Sequence, residues 1–344
     1  MKVGVLTGGG DCPGLNAVIR GVVTRGLQLG YEFVGIRDGW KGLVESITME
    51  LGRVEVSAIL PMGGTILGTS RTNPFKHEGD VDKVIATLKA LSIDALVCIG
   101  GDDTLGVASK LFDKGIKTIG VPKTIDNDLT GTDTTFGFDT AVSIVADAID
   151  RLHTTAESHH RAMVVEVMGR NAGWIALHGG MAGSADAILI PEKPFDMDEV
   201  CAHVDKKSRE RAGKTSSIVV VAEGAYPSGA DGVVTQQKGV DAFGHVRLGG
   251  IGEYVAGQIE EKTGIETRYV VLGHLQRGGS PTANDRVLAT RYGVKAIEMV
   301  RDGSFGNMAA LQGGDIVEVP LDVATGTNKT VDMELFKVAE VFFG

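Results

Sequence analysis

Residues 94–112 read DALVCIGGDDTLGVASKLF. An apolar run, Ala95 to Ile99, meets two glycines and two aspartates, and from Thr104 onward the pattern turns helical. A strand that is apolar at every position has no face to offer water, so it belongs in a sheet covered on both sides, and such sheets are parallel. The same order recurs along the chain. KVGVL (2–6) precedes a helical pattern over Leu15–Leu29, and AMVVEV (162–167) precedes one over Ala172–Met181. SIVVVA (217–222) and TRYVVL (267–272) precede those over Ile251–Lys262 and Thr282–Val300. In Thr140–Leu152 the apolar residues Ala141, Ile144, Val145, Ala148, Ile149 and Leu152 fall on one helical face. Alternating strands and helices define an α/β fold with mainly parallel sheets. Ligands of such sheets bind at the carboxyl ends of the strands, which is where the glycine-rich segments fall: TGGGDCPG (7–14), IGGDD (99–103), VPKTIDND (121–128) and VMGRNAG (167–173).

The chain has 344 residues, long enough for two domains. Hydrophobic residues make up 43% and charged residues 23%, an ordinary globular balance. A formal net charge of −10 without any basic block argues against nucleic-acid or anionic-membrane binding. Cys12, Cys98 and Cys201 are far apart and form no C-x-x-C pair, and the first residues enter a strand pattern at once. Both features point to a reduced, cytoplasmic setting. No apolar run approaches the roughly 18 residues of a membrane span. The segment Ala225–Gly250 is long, polar and glycine-rich, and reads as a surface excursion or hairpin.

The loops carry the chemistry. GGGDCPGLN (8–16) lacks the Lys-Ser/Thr of a P-loop, and Pro13 stands where G-x-G-x-x-G needs its last glycine. It is either an anion-binding turn at a helix start or a tight turn without a ligand. Asp102 is equally compatible with a helix N-cap and with a metal ligand. In VPKTIDND, Asp126 and Asp128 form either an Asx-rich turn or a pair in which one carboxylate accepts a proton and the other lies near a metal. Arg71, Arg161, Arg170, Arg268 and Arg277 all fall beside glycine-rich or strand-end segments, as phosphate-binding forks would. His159 and His160 are adjacent, and no Ser/His/Asp or Cys/His nucleophilic arrangement stands out.

Taken in order, GVLTGGGDCPGLNAVIRG (4–21), GGDD (100–103), PKTIDND (122–128), SHHRAMVVEVMGRNAGW (158–174) and VLGHLQRGGSPTANDR (271–286) resemble the 6-phosphofructokinase family. The resemblance covers most of residues 1–301. It implies two similar three-layer α/β domains with mainly parallel sheets: 1–137 plus 276–303 for the phosphoryl donor, and 138–275 plus 304–344 for fructose 6-phosphate. It also implies that Asp126 takes the proton from the sugar 1-hydroxyl and that Asp102 helps hold Mg2+ with Asp128 nearby. Thr124, Arg71 and Arg170 would position substrates and stabilise charge, and Gly10 and Thr104 would contact the donor. Met168, Gly169, Arg170, Glu223, His274 and Arg277 would bind fructose 6-phosphate. Arg161 and Arg268 would reach its 6-phosphate from a neighbouring subunit, so a homo-oligomer, dimer or tetramer, with shared active sites is implied.

Residues 103 and 123 speak to the donor. In the ATP-using bacterial members both positions are glycine, which leaves room for the nucleotide α-phosphate. Asp103 fills that space with negative charge, and Lys123 can bind the terminal phosphate of a two-phosphate donor. This pair resembles the pyrophosphate-dependent branch of the family, although Asp103 is also compatible with a helix cap. The expected reaction is a reversible, Mg2+-dependent transfer from pyrophosphate to fructose 6-phosphate. It gives fructose 1,6-bisphosphate and phosphate, serving glycolysis and gluconeogenesis. The alternative is an ATP-dependent enzyme that tolerates Asp103. A catalytically dead sugar-phosphate sensor would have lost Asp102 or Asp126, and a Rossmann-type dehydrogenase would carry G-x-G-x-x-G after the first strand.

Overall fold

The computed structural model describes residues 1–210, 216–230, 235–240 and 246–343. The strands are β1 (Lys2–Thr7), β2 (Glu32–Ile36), β3 (Thr48–Glu50), β4 (Ala95–Gly100), β5 (Thr118–Pro122), β6 (Ala162–Val167) and β7 (Ala187–Leu189). They continue as β8 (Ser217–Ala222), β9 (Thr235–Val240), β10 (Val246–Leu248), β11 (Thr267–Val271), β12 (Asn307–Gln312) and β13 (Asp315–Pro320). The chain divides into two compact units. The first comprises Met1–Ile125, Leu129–Thr140 and Arg277–Asn328; the second comprises Asp126–Asp128, Ala141–Gln276 and Lys329–Gly344. Among the described residues no helix is long and apolar enough to cross a membrane.

The first unit is built on a sheet in the order β13-β12-β5-β4-β1-β2-β3. β1, β2, β4 and β5 pair in parallel, and only the edge strands β3 and β13 run antiparallel to their neighbours. β4 is buried along its whole length, as its unbroken apolar run predicts. Alternate residues of a strand point to opposite faces. Leu96 and Cys98 accordingly join Leu6 and Ile36 in one cluster with Leu105, Ala108 and Leu111 of the helix Asp102–Phe112. Fully burying a side chain such as Leu or Ile contributes about 1.5–3 kcal/mol, which fixes this helix on the strand that precedes it.

Expected boundaries put all of 304–344 in the second domain, but β12 pairs with β5 and β13, so 304–328 belongs with the first unit. NMAALQ (307–312) has no β-branched residue and carries little strand preference of its own. The neighbouring strands decide its conformation.

One buried carboxylate ties this unit together. Asp285 is fully buried and accepts hydrogen bonds from Gly137 N at 2.9 Å, Thr140 N at 2.8 Å and Thr140 Oγ1 at 2.5 Å. It thereby satisfies the open N–H groups at the start of the helix Phe138–His159. Burial pushes its pKa up, and these donors hold it down. Asp285→Ala strands all three donors, and the expected loss is about 3 kcal/mol. A clear fall in thermal midpoint checks this; an unchanged midpoint contradicts it.

The second unit holds a four-stranded parallel sheet, β11-β6-β8-β7. β6 and β8 are buried at every residue, as in a sheet covered on both faces. The edge strand β11 departs from that expectation: Tyr269 is 44% exposed and Val271 45%. Within the expected 225–250 excursion β9 and β10 pair antiparallel, while 231–234 and 241–245 lie outside the described residues.

Candidate active site

In the first unit, Lys123, Thr104, Arg71 and Arg277 are placed at the loop after β1 or its flanks. Lys123, buried directly after β5, donates from Nζ to the Gly10 carbonyl. Thr104 packs against Gly8, where a Cβ would lie 2.6 Å from Thr104 Oγ1, so only glycine fits. Thr69 Oγ1 donates to Gly9 O at 2.5 Å and Gly9 N donates to Ser70 O at 3.2 Å, which sets exposed Arg71 beside the same loop. Arg277 donates from Nη1 to Asp11 O at 3.3 Å. The structure thus places Arg277 beside the first glycine loop. Burial pushes the Cys12 thiol up to about 12, so it is not a thiolate nucleophile.

The helix after β4 begins at Asp102, with Gly101 as its N-cap. Asp102 and Asp103 therefore occupy the first helical turn, and neither is the cap. Acidic groups are favourable at a helix amino end, which lowers the cost of two adjacent carboxylates. Both are partly exposed. Gly100 pairs with Pro122 across β4 and β5, and Lys123 N donates to Gly100 O at 2.9 Å. Asp103 and Lys123 consequently leave neighbouring strand ends. Thr124 is also buried, its carbonyl accepting from Thr135 Oγ1 at 2.7 Å.

In the second unit, Asp126 and Asn127 are each only 3% exposed, and Asn127 takes the left-handed conformation with φ 54°. Met168, Gly169 and Arg170 follow β6, and Glu223 follows β8. The Glu223 carboxylate accepts Gly169 N at 3.3 Å and Arg170 N at 3.0 Å, holding a turn in which Arg170 has φ 54°. Gly224 allows this approach, since a Cβ there would meet Arg170 O at 2.1 Å. Burial pushes the Glu223 pKa up, the Arg170 N–H pulls it down, and the Asp126 charge raises it again. Asp126 and Glu223 are thus close enough to sense each other. His274 is exposed on the short helix Gly273–Arg277 that follows β11.

Arg161 and Arg268 stand elsewhere. Arg161 immediately precedes β6, and Arg268 pairs beside Met163 near the start of β11. Both engage Glu266, Arg161 at 2.9 Å. At about 3.3 Å per residue, the strand separates Arg161 from Met168 by about 23 Å. The two arginines therefore sit at the opposite end of the sheet from Arg170 and Glu223 of their own chain.

Three contributors had no visible sequence signal. Asn16 donates from Nδ2 to Met62 O at 3.1 Å and accepts Ile66 N at 2.9 Å, fixing the 62–66 loop. Glu192 accepts from Gly173 N at 3.0 Å and Val331 N at 3.0 Å. Lys329 donates from Nζ to Asn127 Oδ1 at 3.1 Å. Each contact joins segments remote in sequence, which no local pattern reports.

Glycine loops, cations and carboxylates gathered at the carboxyl ends of parallel strands are the equipment of an α/β phosphotransferase. The Phosphofructokinase family profile matches residues 2–300, and the chain belongs to that family. It is 60% identical over 346 residues to the pyrophosphate–fructose 6-phosphate 1-phosphotransferase of Amycolatopsis mediterranei, covering 100% of both chains. It is 52% identical over 347 residues to an ATP-dependent 6-phosphofructokinase of Corynebacterium efficiens, covering 100% of this chain and 99% of the relative. The crystal structure of Pichia pastoris phosphofructokinase in the T-state matches with a TM-score of 0.83 and 32% identity. That match covers 99% of this chain and 36% of the other, so this chain spans about a third of that one.

Proposed function

We propose that this chain is a pyrophosphate-dependent 6-phosphofructokinase working in the cytoplasm. The oxygen of the fructose 6-phosphate 1-hydroxyl attacks the terminal phosphorus of pyrophosphate, the bridging P–O bond breaks, and phosphate leaves. Asp126 takes the hydroxyl proton, and Arg71, Thr124 and Arg170 hold the charge shared along the transfer. Gly10, Thr104 and Lys123 cradle the donor. Met168, Gly169, Glu223, Arg277 and His274 serve the sugar phosphate, with Asp128 beside Asp126. The first unit is the donor domain and the second the fructose 6-phosphate domain. The single observation that carries the donor assignment is Asp103 in the first helical turn beside the strand end that bears Lys123. Relatives at 60% and 52% identity name different donors, so overall similarity leaves the choice to such residues.

The donor set fits a magnesium ion. Mg2+ keeps several waters and is usually held by one or two carboxylates plus substrate phosphates. Asp102 offers a partly exposed carboxylate at a helix amino end, and no described cluster of three or more acidic, His or Cys side chains forms a protein-only cage. When bound, Mg2+ neutralises charge on the phosphates. Incubation with fructose 6-phosphate, pyrophosphate and Mg2+, followed by 31P NMR, tests the reaction. Bisphosphate and phosphate should form, and pyrophosphate should reappear when the products alone are supplied. Absence of both conversions would refute it.

The positions of Arg161 and Arg268 support a homo-oligomer with shared sites, because their own chain's sugar-phosphate residues lie at the other strand ends. Exposed Tyr269 and Val271 on the edge strand β11 offer such a neighbour an apolar surface. Mixing Arg161→Ala subunits with Asp126→Ala subunits should restore part of the activity that each lacks alone, since one hybrid site is intact. No recovery in verified mixed oligomers would mean that each site is built from one chain.

A further inference from the structure

The carboxyl-terminal segment around Lys329 lies outside every motif that the reaction uses, yet it grips the Asp126 loop at two points. Lys329 N donates to Asp128 O at 2.8 Å, and Lys329 Nζ donates to Asn127 Oδ1 at 3.1 Å. The lysine is itself held. Its Nζ lies 5.2 Å from the Trp174 ring centroid, and Trp174 Nε1 donates to Lys329 O at 3.0 Å. Two residues on, Val331 N donates to Glu192 Oε1 at 3.0 Å, and the same carboxylate receives Gly173 N. Lys329–Val331 therefore clasps two loops: the one bearing Asp126 and the one that runs from Arg170 into the helix Trp174–Ala182.

The first loop needs a clasp. Asn127 holds φ 54°, a left-handed conformation that costs a non-glycine residue some energy, though asparagine less than most. Because Asn127 directly follows Asp126, its conformation sets where the Asp126 carboxylate points. A lysine ammonium held over an indole ring while it donates to an amide oxygen is a semi-rigid strut. We propose that Lys329 is a positioning residue: through Asn127 and Asp128 it fixes Asp126 in the orientation that accepts the substrate proton. This rests on the reading of Asp126 as the proton acceptor.

Lys329→Met keeps an unbranched side chain of similar length and removes the donor. Displacing a reacting group by about 1 Å costs roughly 100-fold in rate, so kcat with pyrophosphate should fall about 10- to 100-fold. KM for both substrates should stay within about twofold, because no substrate contact is lost. Lys329→Arg, which also stacks on an indole and donates to an amide oxygen, should recover most of kcat. Asn127→Gly tests the same bond without touching the tail: it tolerates the left-handed backbone, loses the Oδ1 acceptor, and should lower kcat similarly. The double variant should be no slower than the slower single variant, since both remove one interaction.

Wild-type kcat in Asn127→Gly, or in a folded Lys329→Met, overturns the proposal. So do multiplicative losses in the double variant, or a loss confined to KM. Wild-type enzyme inactive with pyrophosphate would instead refute the proposed function. Full activity in Lys329→Met alongside an inactive Asp126→Asn would refute only the role of Lys329.

Discussion

Asp126→Asn is expected to lower kcat with pyrophosphate by about 1,000-fold, within the range set by loss of a positioned general base. The amide keeps the volume and most of the hydrogen-bonding shape of the carboxylate but cannot take the proton. KM for fructose 6-phosphate should change only a few-fold, and the thermal midpoint should stay near that of the parent. In the proposed mechanism Asp126, not its neighbours, is the base on physical grounds. It is 3% exposed, shares surroundings with Glu223, and sits on a loop whose next residue is locked in a left-handed conformation. Asp128 is more open to solvent, and Asp102 and Asp103 lie at the start of a helix in the first unit. Steady-state kinetics on the folded variant decide the matter. Retention of more than about a tenth of parental kcat, where a general base supplies at least 100-fold, would assign the base elsewhere.

The second large effect concerns donor choice. Asp103→Gly should raise ATP use from near zero and lower pyrophosphate use, changing the ratio of their kcat/KM values by up to about 1,000-fold. A unit charge about 4 Å from an α-phosphate charge opposes it by about 4 kcal/mol at an effective dielectric of 20, and about 1.4 kcal/mol is tenfold. Because Gly101, not Asp103, is the N-cap, the substitution leaves the cap residue untouched. The helix loses only about 1 kcal/mol of propensity, which bears on stability and not on donor preference. Adding Lys123→Gly should cut pyrophosphate activity much further, since in the proposed mechanism the buried ammonium on the first glycine loop is the donor's main compensating charge. An unchanged ratio in Asp103→Gly would reduce this carboxylate to a favourable charge at a helix start.

Much of the fold was legible because the chemistry is local. The largely apolar runs AMVVEV and SIVVVA coincide with β6 and β8, and the glycine loops fall at strand ends because a βα turn needs them there. β12 was invisible, as its residues have no strand preference until β5 and β13 flank them. The carboxylates Asp285 and Glu192 and the lysine at 329 were unreadable for a related reason. Their partners lie 145, 139 and 202 residues away, and no spacing rule spans such distances. Arg161 and Arg268 illustrate a middle case. Their residue type suggested phosphate binding, but only the register of β6 and β11 reveals which end of the sheet they occupy.

The most direct measurement is kcat/KM for pyrophosphate and for ATP with the unmodified chain, at saturating fructose 6-phosphate and Mg2+. A preference for pyrophosphate of about 1,000-fold is predicted, the factor that repulsion of about 4 kcal/mol implies. ATP turned over as well as pyrophosphate, or better, would contradict it.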